Sequence, residues 1–178
     1  MRLFIAINFD SRTKLRITAV QKQLAEYTDG NFTRPDNIHL TLAFLGQVQP
    51  QAVHKIEKAM QSVRFSPINI GFTHVGRFTR KNRDIWWIGI KRDDALFELH
   101  KELTEALAGF GFCLNEQRYT PHITLARQVK TNSYVKKETL FTGPFSTRIH
   151  SISLMHSHRV DDKLTYTEIF KVQAKTNH

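Results

Sequence analysis

Apolar and polar positions along this chain follow two periods, and the switches between them mark its elements. Residues 2–9 (RLFIAINF) form a short apolar run rich in β-branched and aromatic side chains, as in a buried strand. Ile17, Val20, Leu24 and Tyr27 then recur at helical spacing, after Asp10 or Ser11 as a cap and before Asp29-Gly30 as a stop. Residues 31–37, with Pro35, are expected to be loop, and residues 38–45 a strand closed by Gly46. Pro50 suits a first helical turn, and Val53, Ile56, Met60 and Val63 give the apolar stripe of a second helix. Strand-like segments follow at roughly 67–78.

The pattern then restarts. Residues 84–91 (DIWWIGIK) predict another buried strand, and Asp93 or Asp94 can cap a helix carrying Leu96, Leu99, Leu103, Leu107 and Phe110 before Gly109 and Gly111. Pro121 suits the start of a strand, where its missing N–H does least harm. Residues 130–143 are ambiguous. Residues 145–156 and 163–172 alternate well enough to be a closing strand pair across a loop containing Asp161-Asp162.

Within this repeat one tetrad occurs twice, as His39-Leu40-Thr41-Leu42 and His122-Ile123-Thr124-Leu125. In a strand, alternate residues share a face, so each histidine and threonine point one way while the apolar pair faces a core. If the two strands run side by side, two imidazoles and two hydroxyls converge on one cleft. Ile85 precedes His122 by nearly the interval that separates Phe4 from His39, which points to an internal duplication, roughly 1–80 and 81–178. The two halves would form one domain spanning 1–178, with lobes related by a pseudo-two-fold axis.

Composition narrows the chemistry. Twenty-six Lys and Arg against 16 Asp and Glu give a formal charge of +10, which suits an anionic partner or simply a basic surface. Cys113 is the only cysteine, which excludes an intrachain disulfide and a cysteine-based zinc cluster and fits a reducing cytoplasm. No run is long enough to span a membrane, and no Gly-rich phosphate loop occurs. Metal-free cleavage of a phosphodiester needs a base, an acid and donors for the phosphoryl oxygens. Two histidines serve both proton roles near neutral pH, and Arg127 adds a fork that fits phosphate.

HLTLAFLG at 39–46 and PHITLAR at 121–127 resemble the paired signatures of the two-histidine (2H) phosphoesterases, and most of all those of the RNA 2',3'-cyclic phosphodiesterases, historically labelled 2'-5' RNA ligases. The opening RLFIAI and the spacing between the motifs match as well. The resemblance implies an α+β fold of two pseudo-symmetric lobes, each an antiparallel sheet with helices on its outer face, and an active-site cleft between them. It implies that His39 donates a proton to the leaving ribose 3'-oxygen and that His122 accepts one from water. Thr41, Thr124 and Arg127 would hold the phosphate, and Phe44 would stack on the terminal base. No cofactor and no metal are implied. The expected partner is RNA with 2',3'-cyclic phosphate ends, handled by a monomer away from membranes. A 2',5' ligation would be the accompanying reverse chemistry. In an unbroken strand the fifth residue after each histidine points to the opposite face, so Phe44 and Arg127 need a strand end, a twist or a bulge to reach the site.

Two rival readings are a basic RNA-binding module with structural histidines and a phosphodiesterase for small cyclic nucleotides or 2',5'-linked oligonucleotides. His54, His74, His100, His150 and His178 carry no partner pattern. His156 and His158 share a face but lack the further ligands of a metal site. The run Arg77–Arg83 either steers an RNA backbone or is a solvated hairpin loop, and Trp86 and Trp87 are expected in the core, on opposite faces.

Overall fold

A computed structural model describes residues 1–79, 83–114, 118–131, 135–141 and 143–175 of the chain. The opening run is β1 (Arg2–Asn8), with Leu3, Ile5 and Ile7 fully buried. Asp10 caps α1 (Ser11–Ala25), its carboxylate accepting from the Thr13 N–H at 2.7 Å and so satisfying a donor left open at the helix start. Ile17, Val20 and Leu24 bury the predicted stripe, but the helix ends before Tyr27, which is exposed.

The expected loop after α1 begins instead as a strand, β2 (Thr28–Phe32). Asp29-Gly30-Asn31 carries turn residues, yet β2 pairs antiparallel with β6 (His122–Thr131), and cross-strand pairing outweighs local preference. Gly30 permits this pairing, because a Cβ there would lie 2.8 Å from Val129 Cγ2. The first tetrad opens β3 (His39–Gln47), and α2 (Val53–Ser62) follows a 3-10 turn at Pro50–Ala52. β4 (Ile68–Phe78), β5 (Asp84–Ile90) and α3 (Asp94–Gly109) come next. Asp93 caps α3 by accepting from the Leu96 N–H at 3.1 Å. Leu96, Leu99, Leu103 and Leu107 are buried, whereas Phe110 lies just past the helix end and is exposed.

The ambiguous region contains a short helix, α4 (Lys137–Leu140). The single strand expected over 145–156 is two, β7 (Phe145–Ile149) and β8 (Ser151–Val160), which break at His150 and enter different sheets. β8 and β9 (Lys163–Gln173) form the closing hairpin, turned by Asp161 and Asp162 at φ +47° and +60°, the positive pair that a tight two-residue loop favours.

The strands make two antiparallel sheets, one ordered β3-β1-β8-β9 and one ordered β2-β6-β5-β4-β7. The fold is α+β, and both sheets draw strands from both halves of the chain. One core joins the sheets, with Leu3, Ile5, Leu40 and Leu42 on one side and Phe72, Trp86, Ile88 and Ile123 on the other. α1 packs on β2 and β6, while α2 and α3 pack on each other and reach β9 and β3. The tetrad strands are not ladder neighbours, as side-by-side strands would be. β3 is the edge of its sheet and packs against β6 of the other sheet.

Candidate active site

Each tetrad starts where its strand ladders onto a neighbour, β1 for β3 and β5 for β6. Asn8 of β1 stands opposite His39, and Gly89 of β5 stands opposite His122. The burial of the six residues that begin with each histidine, 39–44 and 122–127, is the same in both strands: half-buried, buried, half-buried, buried, buried, exposed. Two consecutive buried residues break the alternation, and the pairing shows why. Thr41 faces Ala6 and Ala43 faces Ile5, which leaves Leu42 unmatched; Thr124 faces Trp87 and Ala126 faces Trp86, which leaves Leu125 unmatched. Each strand therefore carries a bulge of one residue, and each bulge returns the fifth residue after the histidine to the histidine's face. Phe44 comes to stand opposite Phe4, whose ring packs on His39. Arg127 brings Nη2 to 3.4 Å from Thr124 Oγ1.

The two imidazoles are held alike. His39 Nδ1 lies 2.7 Å from the Asn37 carbonyl oxygen, and His122 Nδ1 lies 2.7 Å from that of Thr120, two residues upstream in both cases. A carbonyl only accepts, so both rings keep a proton on Nδ1 and present Nε2 for chemistry. Their surroundings then differ. His39 Nε2 is 3.0 Å from the Thr41 hydroxyl, and the ring is packed between Phe4 and Tyr166 at centroid distances of 4.8 and 5.3 Å. His122 is flanked more loosely, by Phe78 at 5.3 Å and Trp87 at 6.2 Å.

Burial pushes the His39 imidazole down to about 4, aided by the positive charges of Arg127, His122 and Lys14 and opposed by the Asn37 carbonyl. His122 is lowered as well, by burial and by Arg127, against the Thr120 carbonyl. Burial raises the Tyr166 phenol, although Arg127 and Arg2 oppose it. An anion bound among these groups would reverse the trend, since it favours imidazolium. Thr41, Phe44, Phe78, His122 and Arg127 line a cleft of about 940 Å³, closed on its far side by His100 and Thr104 of α3. Neither His39 nor Thr124 lines this cleft, but each lies against a residue that does: His39 Nε2 against Thr41, and Thr124 Oγ1 against Arg127.

Tyr166 and Tyr119 are site neighbours that carry no signal in the sequence. Tyr166 sits in the alternation of β9 like any strand residue. Tyr119 stacks on His100 at 3.8 Å and donates from its hydroxyl to the Thr41 carbonyl at 3.3 Å, supporting the tetrad backbone. Trp86 is in the core as expected, but Trp87 is half-buried on the sheet face that carries His122, because the register pairs it with Thr124. In the basic run, Arg77 pairs with Asp84 at 3.3 Å, and residues 80–82 lie outside the described residues. His156 and His158 stack at 4.7 Å, and among the described residues no group of three or more His, Cys, Asp or Glu could hold a metal ion. No described helix is long and apolar enough to cross a membrane.

This fold is shared with known proteins. The family described as the 2'-5' RNA ligase superfamily matches residues 9–161. An Archaeoglobus fulgidus protein named RNA 2',3'-cyclic phosphodiesterase is 31% identical over 136 residues, covering 76% of this chain and 77% of that protein. A Thermotoga maritima protein of the same name is 35% identical over 132 residues, covering 71% and 70%. The crystal structure of E. coli LigT in apo form superposes with a TM-score of 0.82 at 23% identity, across 98% of both chains. The chain belongs to the 2'-5' RNA ligase superfamily, a group of two-histidine phosphoesterases.

Proposed function

We propose that this protein is an RNA 2',3'-cyclic phosphodiesterase that needs no metal and leaves a 2'-phosphomonoester. The names of its relatives support the substrate. The observation that carries the mechanism is the matched pair of Nδ1–carbonyl contacts, which leaves Nε2 of His122 for the cleft that His122 lines and turns Nε2 of His39 to Thr41 on the wall of the same cleft. His122 Nε2 takes a proton from water as the water oxygen bonds to phosphorus. The bond from phosphorus to the ribose 3'-oxygen breaks, and His39 Nε2 gives that oxygen its proton. Thr41, Thr124 and Arg127 hold the phosphoryl oxygens, and the Arg127 fork matches the charge they gain in the transition state. Phe44, exposed and on the histidine face, stacks on the terminal base.

Both histidines are neutral in the free protein at neutral pH, so the productive form must gain a proton as the anionic end arrives. The Asn37 carbonyl and the phosphate together favour the His39 imidazolium that the acid role requires. A 5'-hydroxyl in place of water would be joined by the same two proton transfers, giving a 2',5' bond. All of these groups come from one chain, so a monomer suffices. Hydrolysis of an oligonucleotide ending in a 2',3'-cyclic phosphate, in the presence of a chelator, tests the reading. Turnover is expected to persist at full rate. Loss of turnover restored by a divalent ion would replace the mechanism with a metal-assisted one.

A further inference from the structure

The proton-transfer scheme leaves one part of the sheet face that carries His122 unused, the ladder of β4 and β5. His74 stands opposite Gly89, Gly76 opposite Trp87, and Gly89 also opposite His122, so these residues share the face of the proposed base. Two large rings occupy the space over the two glycines. A Cβ at Gly76 would overlap Cη2 and Cζ2 of Trp87, and a Cβ at Gly89 would overlap Cε1 of His74. Both rings therefore lie close against the backbone of the neighbouring strand. They meet at 5.4 Å, and Trp87 continues to His122 at 6.2 Å and to Phe78 at 5.1 Å.

A large ring laid over a cross-strand glycine is a packing device in its own right. The indole N–H groups of Trp86 and Trp87 are both buried with no hydrogen-bond partner among the described residues, and what sets Trp87 apart is its exposure: Trp86 lies in the core, whereas Trp87 is half-buried at an open cleft. The ring is held over Gly76 without its polar handle, and it borders a separate open cleft of about 590 Å³. His74, Arg77 and Lys137 line that cleft too, with Glu138, and Arg77 is paired with Asp84 at 3.3 Å, so the Trp87 ring supplies a stacking surface beside groups that can also meet a phosphate backbone.

We propose that Trp87, with His74 beside it, is a stacking platform for a nucleobase upstream of the cyclic phosphate end. The inference rests on the phosphodiesterase reading and deepens it: the preferred substrate is an oligonucleotide whose second or third base lies on Trp87. A ring face accepts any base, so the preference is for chain length and not for sequence. Trp87 adjoins His122 at 6.2 Å in one sheet, while the base nearest the reacting end has Phe44 of the other sheet, so Trp87 is left for a base further along the strand.

Three substrates test it on the intact protein: a mononucleoside 2',3'-cyclic phosphate, a trinucleotide with the same end, and that trinucleotide made abasic at its second or its third residue. The trinucleotide should have a kcat/KM higher than the mononucleoside by roughly 5- to 100-fold, the range that one stacked base supplies. One of the two abasic substitutions should remove that advantage. Trp87→Leu should lower the trinucleotide-to-mononucleoside ratio by the same factor and make the abasic substitution neutral, and Trp87→Phe should keep most of the ratio. Abasic substrates as good as the intact trinucleotide would overturn the platform, whether or not the variants fold. So would a Trp87→Leu enzyme equally impaired on both natural substrates, since that places Trp87 against His122 or the terminal nucleoside. If the wild type turns over none of them, the phosphodiesterase reading fails by itself. Calorimetric binding of the trinucleotide 3'-phosphate and its abasic forms then decides the platform, with equal Kd values overturning it.

Discussion

β3 and β6 present the same six-residue relief, with a bulge at the same step, yet they surround their histidines differently. His39 is boxed between Phe4 and Tyr166, and its Nε2 already touches Thr41; His122 has looser aromatic walls and lies on the cleft surface. The position returned by the bulge is Phe44 in one strand and Arg127 in the other. A shared backbone device thus aims two different side chains at one cleft, an aromatic ring and a guanidinium fork. The lesson is that the backbone geometry recurs while the chemistry is assigned by what stands at the fifth position and by how deeply each imidazole is buried.

The comparison breaks most visibly at the histidines. His39→Ala and His122→Ala should each cut kcat by on the order of 10²- to 10⁴-fold, with circular dichroism unchanged, because each removes a proton-transfer partner. A variant of either with near-wild-type kcat would remove that histidine from the reaction. Arg127→Lys comes next, with a loss in kcat of about 10- to 100-fold, since a point charge cannot reproduce two parallel hydrogen bonds. Undiminished kcat in that variant would show that the fork is not used. Phe44→Ala should act on KM instead, raising it roughly 5- to 100-fold with little change in kcat where chemistry is slow. A fall in kcat alone would mean that Phe44 positions the reacting end rather than the base.

The smallest effect sharpens the contrast in burial. kcat/KM reports the free protein, in which the pair must carry one proton. With His39 at about 4 and His122 lowered too, the doubly neutral form prevails above the ordinary histidine range. The kcat/KM maximum is expected on the acid side of pH 6.5, and the kcat maximum higher, because the bound phosphate favours imidazolium. Stability follows the same sign. An unfolded His39 binds its proton near pH ~6.5 and the folded one only at about 4, so stability is full above the first value and falls as pH drops toward the second. Melting temperature should decline over that window more steeply in the wild type than in His39→Gln; parallel curves would deny the depressed imidazole.

Much of this was legible in the chain because the relevant signals are local. His39-Leu40-Thr41-Leu42 and its partner announce strands with one apolar face, and Asp10 and Asp93 announce helix starts by chemistry that operates within three residues. Strand period also shows that Phe44 and Arg127 need a strand end, a twist or a bulge to reach the face of the histidines, but that the device is a bulge, and which residue it leaves unmatched, depends on partners in β1 and β5. What stayed hidden depends on contacts distant in sequence. β2 looks like a turn until β6 pairs with it, residues 145–156 look like one strand until two sheets claim them, and Trp87 looks like core until its register with Thr124 turns it to the sheet face that carries His122. Tyr119 and Tyr166 support the tetrads from far along the chain, and no local pattern distinguishes them from other strand and loop tyrosines.

The central claim is that His39 and His122 work from opposite sides of one phosphorus, so that water enters on the His122 side as the 3'-oxygen leaves on the His39 side. Hydrolysis of a cyclic-phosphate trinucleotide in ¹⁸O-water with a chelator, followed by phosphorus NMR and mass spectrometry of the product, tests it most directly. A 2'-phosphomonoester carrying a single ¹⁸O is the predicted result. A 3'-phosphomonoester would contradict the arrangement, because the oxygen that left would then be the one His39 does not serve.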